Sequence, residues 1–115
     1  MEGVVQIVPL ETIEKLLSDM RSAIDDGKFQ PISRKKNIQT LSRLGITWED
    51  VKSEIYELTT NEYLQGPEVD RDYPATDLFW MFKKSVDGQV IYIKFKILYQ
   101  IDGSVRVVSF HLDEL

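Results

Sequence analysis

The chain of 115 residues is long enough for one hydrophobic core, and its 43% hydrophobic and 29% charged content is ordinary for a globular domain. With no cysteine and a single histidine, it excludes disulfides, thiolate metal sites, cysteine nucleophiles and multi-histidine metal centres. The net charge of −5 argues against a non-specific nucleic-acid coat, and no apolar run reaches the length that spans a bilayer.

The start, Met1-Glu2-Gly3, lacks the basic-then-apolar pattern of a secretory signal, so a cytoplasmic location is expected. Residues 4–8 are a short β-prone run. From residue 10 to 24, Leu10, Ile13, Leu16, Leu17, Met20 and Ile24 recur at spacings of three and four, which predicts a helix with one apolar face. Pro9 suits its entry and Gly27 its exit. A second helix is expected over 33–44, with Ile38, Leu41 and Leu44 inward and Gly45 as its stop. Thr47-Trp48-Glu49-Asp50 resembles a capping box opening a third helix, whose inward stripe is Val51, Ile55 and Leu58. Residues 59–77 contain Gly66, Pro67, Pro74 and several acids and read as a long loop.

From Leu78 the period changes to two. Strand-like runs over 78–86, 89–99 and 105–111 are separated by Asp87-Gly88 and by a turn containing Asp102-Gly103. The expected fold is α+β: a single domain over 1–115, mainly helical over 1–58, a loop over 59–77, and a three-stranded antiparallel meander over 78–111. The helices pack on one of its faces.

Two-residue turns at both Asp-Gly pairs fix a register. Lys83 then opposes Tyr92, Met81 opposes Lys94, Phe82 opposes Ile93, Lys94 opposes His111 and Phe95 opposes Phe110. Parity places Trp80, Phe82, Ile91, Ile93, Phe95, Ile97, Val108 and Phe110 on the core side, and Arg106 with them. The open side receives Met81, Lys83, Tyr92, Lys94, Lys96, Ser109 and His111. Residues 78–115 carry five basic and four acidic residues, against nine and fifteen in the rest, so the β half is relatively basic.

Like charges on neighbouring strand positions cost stability unless an anion answers them. Cleavage of RNA by internal attack needs a base for the 2′-OH, a cation for the phosphorane and an acid for the leaving 5′-oxygen. Imidazole, ammonium and phenol supply these roles without a metal or other cofactor. The candidate catalytic residues are therefore His111, Lys94, Tyr92 and Lys83, with Lys96, Met81 and Ser109 as RNA contacts. The plain structural alternative is a solubilising lysine face bearing an inert histidine.

The segments Leu58-Thr59-Thr60-Asn61-Glu62-Tyr63, Phe79-Trp80, Asp87-Gly88-Gln89-Val90-Ile91-Tyr92-Ile93-Lys94 and Val107-Val108-Ser109-Phe110-His111 resemble the MqsR-type toxins of bacterial toxin–antitoxin modules. The likeness runs from about residue 10 to the C-terminus. It implies a RelE-like fold and an mRNA interferase, with mRNA as substrate and a cognate antitoxin as partner, in a homodimer or a toxin–antitoxin hetero-oligomer. Tyr92 and Lys94 match the family's tyrosine and lysine. His111 stands where the family typically has lysine, and imidazole titrates nearer neutral pH. Met81 stands where glutamine is common, and only Gln65 lies near the position of a further expected lysine. The rival expectation is a non-enzymatic interaction protein, either a degenerate toxin relative or an acidic phage-type inhibitor, that docks through Met81, Tyr92, Lys94 and the acidic segment 65–77.

Overall fold

The computed structural model describes residues 7–113. The elements are α1 (Leu10–Asp25), β1 (Phe29–Pro31), α2 (Lys35–Leu44), α3 (Trp48–Tyr56), a 3-10 turn (Thr60–Glu62), β2 (Tyr63–Glu68), β3 (Phe79–Val86), β4 (Gln89–Ile97) and β5 (Val105–Leu112). The architecture is α+β, with one mixed five-stranded sheet in the order β1-β5-β4-β3-β2. Only the β1–β5 pair is parallel. Residues 4–6 of the β-prone run lie outside the described residues, while Ile7 and Val8 have no regular structure.

The helices form where the apolar spacing requires. Pro9 caps α1 in an extended conformation, and Gly45 ends α2 in the left-handed region, where a side chain is disfavoured. At the start of α3, Asp50 N–H donates to Thr47 Oγ1, and Thr47 N–H donates to Asp50 Oδ2 at 2.8 Å, completing the capping box. The apolar faces of α1 and α3 meet Phe82, Ile91, Ile93, Phe95, Ile97, Val105, Val107 and Phe110 in one buried cluster. The helices thus cover one sheet face.

The β3–β4 hairpin has the expected register throughout, from Val86 opposite Gln89 to Trp80 opposite Phe95. Asp87 and Gly88 both have positive φ, 51° and 77°, the twist that closes a two-residue turn. The second hairpin differs. Tyr92, not Lys94, opposes His111; Ile93 opposes Phe110; Phe95 opposes Val107. Asp102-Gly103 is the end of a longer connection in which Leu98 is buried, and Gly103 N–H donates back to Leu98 O at 2.8 Å. The slip is two residues at the β5 C-terminal end, so Ser109 and His111 keep their expected face. A bulge then intervenes between the pairs Lys94–Ser109 and Phe95–Val107. Beyond it Val105 and Val107 turn into the core, and Arg106 pairs with Lys96 on the open side rather than the core side. Val108 is the extra residue and is only half-buried.

The segment 59–77 is not a structureless loop. Residues 63–68 form the edge strand β2, bulged twice against β3. Gly66 and Pro67 suit such an edge: proline gives up a donor that faces no strand, and a Cβ on Gly66 would lie 3.0 Å from Phe79 O and 3.1 Å from Trp80 Cα.

Helix α2 also departs from expectation. Ile38 is exposed, and the buried residues are Asn37, Thr40 and Leu41. The cause is the outer edge of β5. Strand β1 pairs with it only at Val105, Arg106 and Val107, leaving later backbone groups without a strand partner. Side chains of α2 take that place. Asn37 Nδ2 donates to Val108 O and Ile32 O, both at 2.9 Å; Phe110 N–H donates to Asn37 Oδ1 at 3.0 Å; Leu112 N–H donates to Thr40 Oγ1 at 3.1 Å. Buried groups of this kind each cost about 1–3 kcal/mol when left unpaired. Asn37→Ala is therefore expected to destabilise the fold by about 3 kcal/mol in urea denaturation, whereas Ile38→Ala on the same helix changes stability by no more than about 0.5 kcal/mol.

Candidate active site

Strand register arranges the open face in cross-strand rows. One row is Lys83–Tyr92–His111, from β3, β4 and β5. The next is Gln65–Met81–Lys94–Ser109, which starts on β2. The third contains Lys96, Arg106 and Gln30. Neighbouring strands lie about 4.8 Å apart, and successive rows about 6.7 Å apart along a strand. The structure therefore brings His111, Tyr92 and Lys83 together and sets Lys94 one row away.

In the first row the rings of Tyr92 and His111 lie 5.4 Å apart, tilted by 35°. His111 Nδ1 is 3.0 Å from Leu112 O. A carbonyl only accepts, so Nδ1 is the donor in this contact, and in the neutral ring Nε2 is the nitrogen that carries the lone pair. Burial pushes the Tyr92 phenol above its ordinary pKa, and the charges of Glu68 and Asp113 add to the shift, so the hydroxyl is a donor at neutral pH. Lys83 Nζ makes an ion pair with Asp113 at 2.8 Å.

The remaining rows are less open than parity alone suggested. Met81 is 1% exposed and Ser109 and Lys96 are buried, so as the chain stands they offer little surface to a macromolecule. Over Lys96 the cover comes from residues 69–77, a strap whose Asp70 and Thr76 meet its ammonium. Asp70 Oδ2 sits 2.8 Å from Lys96 Nζ, with side-chain exposures of 11% and 4%, and Thr76 Oγ1 is 3.2 Å from the same ammonium. Lys94 and Lys96 both place Nζ over the Phe79 ring, at 4.7 and 4.8 Å from its centre. Lys94 also faces Glu68 at 3.7 Å. Around these groups lies a cleft of about 690 Å³ whose lining includes Arg34, Arg71, Lys94 and Arg106 opposite Glu68, Asp70 and Asp72. Arg34 reaches Ser109 Oγ and Val108 O, each at 3.3 Å.

A second cleft, of about 330 Å³, opens on the other side of His111. It is lined by Lys36, Gln39, Thr40 and Arg43 of α2 and by His111, Leu112 and Asp113. Reading the face from strand parity alone misses Arg34, Lys36, Arg43 and the strap acid Asp70. The available signal was the stretch 33–45, which carries four basic residues and no acid. Among the described residues, no three histidine, aspartate or glutamate side chains converge as a metal site, and no helix is long and apolar enough to cross a membrane. No protein-family model matches the sequence, and no curated protein matches it significantly.

The strap is held by charge. The hydrogen bond from Lys96 keeps the Asp70 carboxyl below the ordinary carboxylate range, and the backbone N–H groups of Asp72 and Tyr73 also lower it. The unfolded chain then binds this proton more readily than the folded one. The resulting stabilisation is complete above about pH 4 and is lost as pH falls through the lower folded value. Asp70→Asn, which leaves a buried ammonium without its counter-charge, is expected to cost about 3 kcal/mol at pH 7. The gap between variant and wild type should close as urea melts are repeated at pH 4, 3 and 2. A gap independent of pH would mean that the pair does not hold the strap.

Proposed function

We propose that this chain is a metal-independent endoribonuclease of the mRNA-interferase kind, acting on mRNA in the cytoplasm and restrained by a cognate antitoxin, with its helices and sheet in a RelE-like arrangement. The observation that supports the reading most directly is the row Lys83–Tyr92–His111, an ammonium, a phenol and an imidazole in consecutive register across three strands. The sequence likeness to MqsR-type toxins points the same way.

In this reading His111 Nε2 removes the 2′-OH proton, and the 2′-oxygen attacks phosphorus. Lys83 and Lys94 answer the charge that develops on the phosphorane oxygens. The P–O5′ bond breaks, and the Tyr92 phenol protonates the departing 5′-oxygen. The products are a 2′,3′-cyclic phosphate and a 5′-hydroxyl. Gln65 and Met81 share the second row with Lys94, so the family's expected lysine and glutamine would have faced the same surface. Their replacement here is expected to change sequence preference and rate.

A second reading rests on a different observation. Lys83, Lys94 and Lys96 are each matched by a carboxylate, from Asp113, Glu68 and Asp70. A face neutralised in this way suits a non-enzymatic interaction protein that docks a protein partner through the strap.

Purified protein incubated with mRNA in EDTA separates the two. The nuclease reading expects cleavage ending in cyclic phosphate and none at a 2′-deoxy substituted site. It also expects a loss of about 10²–10⁴-fold in rate for His111→Ala. Tyr92→Phe should retain the fold and lose rate as well. A folded wild type that leaves RNA intact and does not arrest growth on induction would favour the interaction protein. Cleavage unaffected by both substitutions would refute the assigned site.

A further inference from the structure

The chain is acidic overall, yet one stretch carries a marked positive excess. Arg34, Lys35, Lys36 and Arg43 lie within residues 33–45 without a single acid, while the rest of the chain sums to −9. Helix α2 turns Asn37, Thr40 and Leu41 inward to β5 and leaves Lys35, Lys36, Gln39 and Arg43 exposed. Lys36, Gln39 and Arg43 follow the three- and four-residue spacing of one helix stripe, about 10 Å long. That stripe forms one wall of the 330 Å³ cleft, and His111 is on its other side. The same α2 residues that bond the β5 backbone set the stripe beside the histidine.

We infer that the exposed face of α2 is the docking track for the phosphate backbone of single-stranded RNA, which it leads across the end of β5 to His111. The inference rests on the nuclease reading for its substrate, but it concerns binding and can fail separately. Lysine, arginine and glutamine are side chains that hold phosphate oxygens without reading sequence. The net charge of −5 disfavours indiscriminate binding of a polyanion, and an acid-free basic stripe gives it one preferred orientation. Lys96 is committed to a buried carboxylate and Lys83 and Lys94 each have a partly exposed one beside them, whereas Lys36 forms no ion pair among the described residues. An acidic protein segment is the other polyanion that such a stripe could take. RNA is favoured because the cleft places the stripe against the histidine and not against an apolar surface that a folded partner would need.

The test is binding of a fluorescent single-stranded RNA, 2′-deoxy substituted to prevent turnover, by full-length protein over a range of salt. Lys35→Gln/Lys36→Gln, two exposed cations of α2, is compared with Lys15→Gln/Lys52→Gln, which removes the same charge from α1 and α3. Each phosphate contact contributes about 0.7 to the slope of log K against log salt for a single strand. The α2 variant should therefore lose about 1.4 from that slope and bind at least tenfold more weakly at low salt, with the control pair close to wild type. In cleavage assays KM should rise while kcat is retained. A poly-glutamate peptide serves as the competing polyanion. Equal losses in both variants, or a loss toward poly-glutamate with none toward RNA, would overturn the inference. RNA binding that depends on Lys35 and Lys36 without any cleavage would preserve it and remove the nuclease reading. Cleavage with RNA affinity indifferent to these residues would do the reverse.

Discussion

The carboxamide of Asn37 holds together the parts on which the open face depends. It donates to Val108 O and accepts from Phe110 N–H, and so spans the β5 bulge from outside the sheet. The bulge is a requirement of the sequence. In Val105-Arg106-Val107-Val108-Ser109-Phe110-His111 the apolar residues change phase at the paired valines. Without an extra residue there, strict alternation would send either Val105 and Val107, or Phe110, to the wrong face. Inserting Val108 as a bulge buries all three and leaves Arg106, Ser109 and His111 on the same side. A bulge breaks the ladder, however, and strand β1 has already ended. An amide, with a donor and an acceptor on one rigid group, satisfies both sides of the break.

The open face shows a second consequence of limited partners. Its lysines could not stand in neighbouring rows without neutralisation, and each has a carboxylate drawn from a different place: Asp113 after β5, Glu68 at the end of β2, Asp70 in the strap. These pairs are not equivalent. Lys83 and Lys94 keep solvent contact, so the carboxylates beside them are exchangeable for phosphate oxygens at modest cost. Lys96 and Asp70 are desolvated together, over the Phe79 ring, and separating them would strand two charges. Chemistry that needs a mobile counter-ion therefore belongs to the first and second rows, and the third row is the anchor of the strap.

How much of this was readable beforehand depended on whether local and distant forces agreed. Asp87-Gly88 fixed the β3–β4 register because both turn residues take positive φ and the flanking alternation is unbroken. Asp102-Gly103 carries the same dipeptide, yet burial of Leu98 and its bonds to Gly103 and Ser104 lengthened the connection. Parity survived because the slip was even. Gly66-Pro67 concealed β2, since only an edge strand tolerates that pair and edge position is a property of the whole sheet. The rotation of α2 was hidden for the same reason. Asn37 and Thr40 look like surface residues until the unpaired edge of β5 is known, and Ile38 then has to face outward. The row Lys83–Tyr92–His111 drew on residues already singled out, although the partner assigned to His111 moved by one row.

The two halves of the charge distribution acquire meaning from this rotation. A β half that is weakly basic and a helical half that is acidic describe the sequence, but in space the most basic element is a helix. It abuts the strand that carries the histidine because its inward face is polar enough to replace a strand. Had α2 buried Ile38, Leu41 and Leu44 in a conventional apolar stripe, the helix would have turned by about 100° per residue of offset. Lys36 and Arg43 would then have faced away from β5. Pairing the β5 edge with side-chain amide and hydroxyl groups thus does two things at once: it closes the sheet and it aims the positive charge. Lys36 and Arg43 then line the same cleft as His111, so the charge of the helix and the imidazole of the strand face one shared opening.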